Sequence, residues 1–409
     1  MPTQAHPQSF ARFLDGVSTG LSAVGFREPS LEPAALVERA AASSGCAPPP
    51  EGRYLAPLQA ITDAARESTT LSGLGRRMFA TALTLRLHNH FQIADWLARH
   101  PEILDEPIER PVFIVSLPRT GTTMLHRLLS VHPEHRVLYT WEMDRPVPQP
   151  RSALAPSRSF ASAVSIQMLH WMCPDLKRIH DVQAGYPEEC INLLANELTS
   201  MIFTLFYDLP GYLDYLHQVD MEPVYRSHRR QLQLLQAGRP RRRWVLKAPF
   251  HLLGLGALLR VYPDALIVQT HRDPAELVAS EASLQLSIRR SFQTSTDLHR
   301  LGQERLEELG LWIDRGMAAR EEHGDAAFID VPYLEMVRDP LSWVEQIAAR
   351  LDEPLSEETR AAMVAHMSIH RQRRHGKHRY SLERFGLEPG AVQERFAAYN
   401  KRFRISSPQ

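Results

Sequence analysis

The 409-residue sequence has few cysteines, no net charge and no long apolar segment, and each of these features excludes a class of protein. Its three cysteines, Cys46, Cys173 and Cys190, are widely spaced and show no metal-binding pattern, so we expect a reducing, cytoplasmic environment. The 47 basic residues balance the 47 acidic ones, which argues against a general binder of nucleic acid or anionic membranes. No run approaches ~18 apolar residues and no signal peptide is visible, so we expect neither a membrane-spanning nor a secreted protein.

What the sequence does contain is ample material for a globular core, since 44% of its residues are hydrophobic. From Pro111 onward, short β-branched runs alternate with helical segments, a pattern typical of parallel βαβ units. The predicted strands are 112–116, 244–246, 265–270 and 327–331. The helices predicted to follow them are 122–131, 251–261, 274–288 and 339–351.

The remaining regions of the chain are predicted to be helical. Residues 1–110 form a helical N-terminal region with segments at 33–42, 55–66 and 76–98. The stretch 132–243 has no clear strand, and we predict a mainly helical insertion that covers the C-terminal edge of the sheet. The expected organisation is therefore an α/β domain at 111–409, with a central parallel sheet, on which the region 1–110 packs.

The most informative segment is VFIVSLPRTGTT, residues 112–123. An apolar strand runs into a turn that contains proline and glycine, and threonines then open an amphipathic helix. Free N–H groups at a helix start, the helix dipole and threonine hydroxyls all favour an anion, so the segment predicts a phosphate-binding loop. The nucleotide-binding pattern G-x-x-x-x-G-K-[ST] is similar, but Thr122 replaces its lysine and Arg119 supplies a cation within the loop. A strand–turn–helix connection without a ligand is the alternative.

A second candidate phosphate site lies where the predicted strand 265–270 ends in His271-Arg272-Asp273-Pro274. The helix that follows carries Ser280, eight residues after Arg272. An arginine at a strand end and a serine on the next helix can converge on one phosphate. The alternative is that Arg272 pairs with a neighbouring carboxylate on the surface.

Together the two motifs resemble those of the PAPS-dependent sulfotransferases, where PAPS is 3′-phosphoadenosine 5′-phosphosulfate. In that family a P-[KR]-[ST]-G-T-T loop holds the 5′-phosphosulfate. The residues that match it here are Pro118, Arg119, Thr120, Gly121, Thr122 and Thr123. Arg272 and Ser280 resemble the family's 3′-phosphate site, and Lys247 resembles its sulfonate-contacting lysine. The loop and its context look most like the bacterial and tyrosylprotein branches.

This resemblance implies a single α/β domain related to the nucleotide kinases, with PAPS as co-substrate and no metal. By analogy with phosphoryl transfer, catalysis then depends on positioning and charge stabilisation, and Arg119 and Lys247 are the catalytic cations that we expect. The cytosolic branch has a histidine base two residues after its lysine. Pro249 occupies that position here, so the base cannot be carried over from that branch.

A general base must still take the proton of the acceptor, and several residues are candidates. Glu142, in TWEM, resembles the catalytic glutamate of the tyrosylprotein branch. His180, in KRIHD, belongs to the residue type that titrates near neutral pH. Glu188 and Glu189, in YPEEC, precede a predicted helix, and His251 opens another. Each has a structural alternative, namely an ion pair, a charge at a helix start or a helix cap. We predict Glu142 or His180 as the catalytic residue and leave the choice of base open among Glu142, His180 and Glu188.

The expected function is a cytoplasmic sulfotransferase that acts on a small or lipophilic alcohol or phenol. Aromatic residues in the stretch 132–243 favour a lipophilic acceptor. Two alternatives are a P-loop-related phosphotransferase and a non-catalytic nucleotide-binding module. The missing P-loop lysine argues against the first, and the presence of Arg119, Lys247 and an acidic candidate argues against the second.

Overall fold

The computed structural model describes residues 4–5, 15–16, 28–148, 157–174, 182–371 and 381–405. Its centre is a five-stranded sheet in the order β3-β4-β2-β5-β7, in which all neighbouring strands are parallel. These strands are β2 (Val112–Val115), β3 (His135–Arg136), β4 (Arg243–Lys247), β5 (Leu266–His271) and β7 (Phe328–Pro332). Away from the sheet, β1 (Gln4–Ala5) pairs antiparallel with β6 (Thr296–Asp297). The predicted α/β fold with a central parallel sheet is therefore confirmed.

Helices cover both faces of the sheet. The first half of the chain contributes α1 (Pro33–Ser44), α2 (Leu55–Glu67), α3 (Gly73–Arg99), α4 (Thr122–Leu129), α5 (Thr140–Asp144), α6 (Arg158–Met172), α7 (Ile191–Ala195) and α8 (Ile202–Phe206). The second half contributes α9 (Pro210–Gln218), α10 (Glu222–Gln236), α11 (Leu255–Val261), α12 (Ala275–Arg289), α13 (Leu298–His323), α14 (Tyr333–Arg338), α15 (Pro340–Arg350), α16 (Glu357–Arg371) and α17 (Pro389–Arg402). No helix in the described ranges is long and apolar enough to cross a membrane.

The central strand β2 shows why the sheet is sandwiched. All four of its residues are apolar and buried, as expected of a parallel strand that is covered on both faces. Because side chains alternate along a strand, Phe113 and Val115 enter one core while Val112 and Ile114 enter the other. The larger core also contains residues of α1 to α3, so the N-terminal helices and the sheet share one hydrophobic core.

The predicted strands lie within one residue of β2, β4, β5 and β7. The stretch 132–243 differs from the prediction because it contains β3. Helix α14, which lies between β7 and α15, was also not predicted. The two residues of β3 carry no strand signal of their own, and they become extended by pairing with Arg243 and Trp244 of β4. Helix α11 begins at Leu255 rather than 251, since a short 3₁₀ turn at Pro249–Leu252 precedes it.

Candidate functional site

The loop between β2 and α4 has the shape of an anion cradle. Arg119 and Gly121 both adopt left-handed backbone conformations, with φ of 67° and 83°. The left-handed conformation of Gly121 favours glycine, and a Cβ atom there would lie 2.5 Å from the end of the Met336 side chain of α14, which would have to move. The turn aims the N-terminus of α4 at the C-terminal edge of the sheet, where its first N–H groups have no carbonyl partners within the helix.

Three buried hydroxyl groups fix this loop to the neighbouring strand. The Ser116 hydroxyl donates to the Thr270 carbonyl of β5 at 2.6 Å. The Thr270 hydroxyl in turn donates to Thr120 Oγ1 at 2.7 Å, and the Thr120 hydroxyl donates to the Leu117 carbonyl at 2.8 Å. The Thr120 side chain therefore holds the loop together and ties it to β5.

Arg272 lies beside the phosphate loop, where β5 ends. Its Nη1 donates to the Arg119 carbonyl at 3.1 Å, its Nη2 lies 2.7 Å from the Glu276 carboxylate, and its guanidinium stacks on the Tyr333 ring. The surface pairing considered from the sequence thus exists together with a direct contact to the loop. Ser280 is 6% exposed, six residues into α12.

Lys247 ends β4 in the same region and links two elements. Its side chain is 2% exposed, and its ammonium group lies 2.5 Å from a Glu189 carboxylate oxygen and donates to Thr123 Oγ1 of α4 at 3.4 Å. The backbone explains this meeting, because the Cys190 N–H donates to the Lys247 carbonyl at 3.0 Å. Nearby, burial and then the charge of Lys247 lower the pKa of His126 to about 3, so this imidazole is neutral.

Glu142 lies in a different environment. It is 1% exposed, and one of its carboxylate oxygens accepts from Arg136 at 2.9 Å and from Arg239 at 2.8 Å. Arg136 pairs with Trp244, three residues before Lys247 on β4, which corresponds to about 10 Å along the strand. The structure therefore places Glu142 in a buried ion pair rather than against Lys247.

The other base candidates lie in different surroundings from one another. Burial lowers the pKa of His251 well below its usual value, and its Nδ1 is hydrogen-bonded to the Tyr225 hydroxyl at 2.9 Å in the hydrophobic core. Glu188 is 8% exposed, and its backbone N–H donates to the Leu138 carbonyl. His180 lies outside the described residues. Glu189 is the candidate that the structure brings to Lys247.

The C-terminal helix α17 is hydrogen-bonded to the residues on either side of Arg272, at the end of β5. The Tyr399 hydroxyl and His271 Nδ1 are hydrogen-bonded at 2.7 Å, and the Asn400 amide donates to the Asp273 carboxylate at 3.0 Å. Sequence reasoning missed these contacts as well as the roles of Tyr333 and Thr270. The positions of Tyr333 and Thr270 in the sequence could have identified them, since both residues lie where predicted parallel strands end. Ligands bind at such strand ends.

Comparisons with known proteins agree with this architecture. Residues 111–357, more than half of the chain, match the model of the Sulfotransferase family. The sulfotransferase STF1 from Mycobacterium tuberculosis H37Rv is 32% identical with a TM-score of 0.75, over 91% of this chain and 100% of that one. The sulfotransferase STF9 from Mycobacterium avium is 28% identical with a TM-score of 0.79, over 91% and 96% of the two chains. No curated protein sequence matches. The chain belongs to the sulfotransferase family.

Proposed function

We propose that the protein transfers a sulfuryl group from PAPS to the hydroxyl group of a small or lipophilic acceptor. The observation that carries this proposal is the position of Lys247, whose ammonium group contacts both Thr123 at the phosphate-loop helix and the Glu189 carboxylate. A cation is thereby held between an anion-binding helix start and a carboxylate. Transfer of an anionic group to a hydroxyl requires a cation that stabilises the charge and, beside it, a base that accepts the hydroxyl proton.

The residues around the loop fit a nucleotide that carries two phosphate positions. The sequence and the helix start supply donors and cations there, namely the N–H groups of α4, the Thr122 and Thr123 hydroxyls, Arg119 and Lys247. Arg272 touches the same loop from the end of β5 and, with Ser280, is proposed to hold the 3′-phosphate. Pro118 and Gly121 shape the turn. PAPS, when bound, supplies the activated sulfuryl group.

The proposed reaction is a single in-line displacement. A bond forms between the acceptor oxygen and sulfur, while the bond from sulfur to the phosphate oxygen breaks and adenosine 3′,5′-bisphosphate leaves. Arg119 and Lys247 stabilise the charge that moves onto the leaving oxygen. The proton of the acceptor hydroxyl passes to a carboxylate, for which we propose Glu189 because of its contact with Lys247.

Glu142 and His180 stay as alternatives for the base. The Glu142 side chain is 1% exposed and is held by two cations, Arg136 and Arg239, whereas the Glu189 side chain is 18% exposed. Glu189 already lies beside the cation that the reaction needs. This difference is the reason for ranking Glu189 first.

A lipophilic acceptor is supported by the surface of helix α6. Four large apolar side chains on it, spaced by three or four residues, are between 46% and 62% exposed; they are Phe160, Val164, Met168 and Trp171. Helix α6 packs against α5, and its Met172 carbonyl accepts from Ser291 next to α12. Soluble proteins seldom expose a continuous apolar strip without a function, and an apolar acceptor is a ligand such a surface suits. A cytoplasmic location remains our prediction.

The experiment that tests the proposal combines binding with product detection. Adenosine 3′,5′-bisphosphate at one hundred times its dissociation constant should stabilise the fold by about 2.7 kcal/mol, and ATP with Mg²⁺ should do much less. PAPS and a panel of alcohols and phenols should give products heavier by SO₃ in mass spectrometry, and Lys247→Ala should abolish them. A larger shift with ATP would favour the phosphotransferase, and bisphosphate binding without any product would favour the non-catalytic module.

A further inference from the structure

Helix α6 turns polar side chains inward and apolar side chains outward. Ser162 and His170 are 3% and 8% exposed, and the Ser162 hydroxyl donates to the Asp144 carboxylate at 2.8 Å. The opposite face carries the apolar strip, which we define as Phe160, Val164, Met168 and Trp171. At about 100° per residue, these four side chains fall within roughly 80° of the helix circumference. A helix of this polarity can bury its outer face only against an apolar partner.

The apolar strip is a concentration of exposed apolar surface. Within the described residues, nine large apolar side chains are exposed, and four of them form the strip. The other five are scattered over α2, α3, the 3₁₀ turn Pro101–Asp105, α14 and α16. Single exposed apolar side chains are ordinary on a protein surface, whereas a group that shares one face marks a site of contact.

Positive charge surrounds the start of α6. The Arg158 guanidinium lies 4.9 Å from the centre of the Trp141 ring and donates to the Arg145 carbonyl at 2.6 Å. The Arg145 side chain is exposed and makes no ion pair within the described part of the chain. In α5, which packs against α6, the Glu142 carboxylate is shared by two further arginines. With Asp144 as the second carboxylate, four arginines stand beside two acidic residues, so positive charge predominates here.

The sequence around the apolar strip has the same character. Residues 145–174 contain three arginines and no acidic residue, although the whole chain has 47 residues of each sign. The neutral total charge argues against attraction of an anionic surface to the molecule as a whole. It leaves room for attraction to this one basic segment, because charges further away than about 10 Å are screened by salt.

The size of the apolar strip favours a bilayer over a protein partner. Four side chains that are each about half exposed offer on the order of 400 Å², about half of what each partner buries in a stable protein interface. A bilayer has no such minimum, since each apolar side chain that enters it adds to the affinity. Tryptophan and phenylalanine suit the boundary between headgroups and acyl chains, and arginine binds anionic headgroups.

We propose that α6 is a membrane-docking helix that lies in the surface of an anionic bilayer, with the apolar strip among the acyl chains and Arg145 and Arg158 at the headgroups. The inference goes beyond the proposed function and does not depend on it, since docking requires neither PAPS nor an acceptor. Together with the proposed function, docking brings the enzyme to the phase in which lipophilic alcohols dissolve.

The test measures binding of the full chain to lipid vesicles by co-sedimentation. The vesicles contain phosphatidylcholine alone or phosphatidylcholine mixed with phosphatidylglycerol. The native protein should bind the mixed vesicles about tenfold more tightly, and added salt should reduce the difference. The double variant Phe160→Ser, Trp171→Ser should bind both kinds of vesicle at least about tenfold more weakly. Arg145→Glu, which removes a positive charge and adds a negative one, should weaken binding to the mixed vesicles by about 5- to 30-fold.

Leu55→Ser and Val364→Ser are the matched controls, because each removes an exposed apolar side chain from another helix. Both should bind vesicles as the native protein does. Absence of native binding to the mixed vesicles, or equal binding by the double variant, would overturn the inference. A native dimer in sedimentation equilibrium that the double variant converts to a monomer would also overturn it, because a second copy of the chain would then cover the apolar strip.

If the double variant does not fold, fluorescence of the native protein decides. Lipids brominated along their acyl chains quench a tryptophan that enters the bilayer, so they should quench the native protein, and Trp171→Phe should remove most of that quenching. Fluorescence that brominated lipids leave unchanged, or quenching that Trp171→Phe retains, refutes docking through α6. Failure of the proposed function has a different signature, since vesicle binding would then persist while no acceptor gained SO₃.

Discussion

Replacing Glu189 by glutamine separates its two roles, as partner of Lys247 and as proton acceptor. Glutamine keeps the shape of the side chain and an oxygen that accepts from Lys247, but it carries no charge and takes no proton at neutral pH. The lysine side chain is 2% exposed and the glutamate side chain 18%, so the pair is shielded from water. Removing one partner of such a pair costs about 3 kcal/mol, which corresponds to roughly 3 °C in Tm for a chain of this size.

The effect on catalysis should be larger than the effect on stability. If Glu189 is the base, kcat with an aliphatic alcohol should fall by about 10² to 10⁴. Binding of adenosine 3′,5′-bisphosphate should become tighter or stay the same, because the anion no longer competes with the carboxylate for Lys247. An acidic phenol should recover part of the lost rate as the pH rises, since its own ionisation replaces the base. Initial rates by mass spectrometry and calorimetric titration measure these quantities.

Glu142→Gln is the matched control for this experiment. Glu142 is also a buried carboxylate bound to cations, Arg136 and Arg239, so its replacement should cost similar stability without changing kcat. A kcat for Glu189→Gln within tenfold of the native value would refute the reasoning. If Glu142→Gln or His180→Gln instead abolishes turnover, that residue is the base, and Glu189 only orients Lys247.

Three other changes test separate parts of the site and fold. Arg272→Ala should weaken bisphosphate binding by about 10- to 100-fold with little change in kcat, as titration and initial rates will show; a fall in kcat alone would contradict the assignment. Gly121→Ala forces a left-handed residue with a Cβ against α14 and should lower urea stability by at least about 1 kcal/mol; a native midpoint would mean that the loop relaxes freely. Acidification should destabilise the fold, because burial lowers the pKa of His126 and His228 to about 3 and that of His251 well below its usual value. The unfolded chain takes up these protons near pH 6.5 and the folded chain does not, so stability should fall between pH 7.5 and 5.5 by on the order of 1 kcal/mol for each of the three histidines. His228→Gln should remove about a third of that slope in urea titrations, and a pH-independent midpoint in the native protein would contradict it.

The framework of the site could be predicted because it depends on local patterns. A continuous apolar run such as β2 predicts a buried parallel strand, and the turn that follows it predicts the phosphate loop. Lys247 and Arg272 end strands, and the carboxyl ends of parallel strands meet at one edge of the sheet. The proximity of these residues therefore follows from topology alone.

The surroundings of the acidic residues could not be predicted, because they depend on contacts between distant parts of the chain. Glu142 is bound by Arg239, which lies 97 residues away, and no local pattern links the two. Glu189 reaches Lys247 through a backbone hydrogen bond from Cys190.

The docking of α17 has a consequence for how the protein is made on the ribosome. The end of β5, just before Arg272, is held by Tyr399 and Asn400 of α17, a helix that follows all five strands of the sheet in the chain. Since a nascent chain emerges from its N-terminus, the helices and most of the sheet are synthesised before this contact can form. This strand end is therefore fixed only after all five strands of the sheet have been synthesised. A shortened translation product that ends before α17 would bury much of the core and still lack a firmly held end of β5.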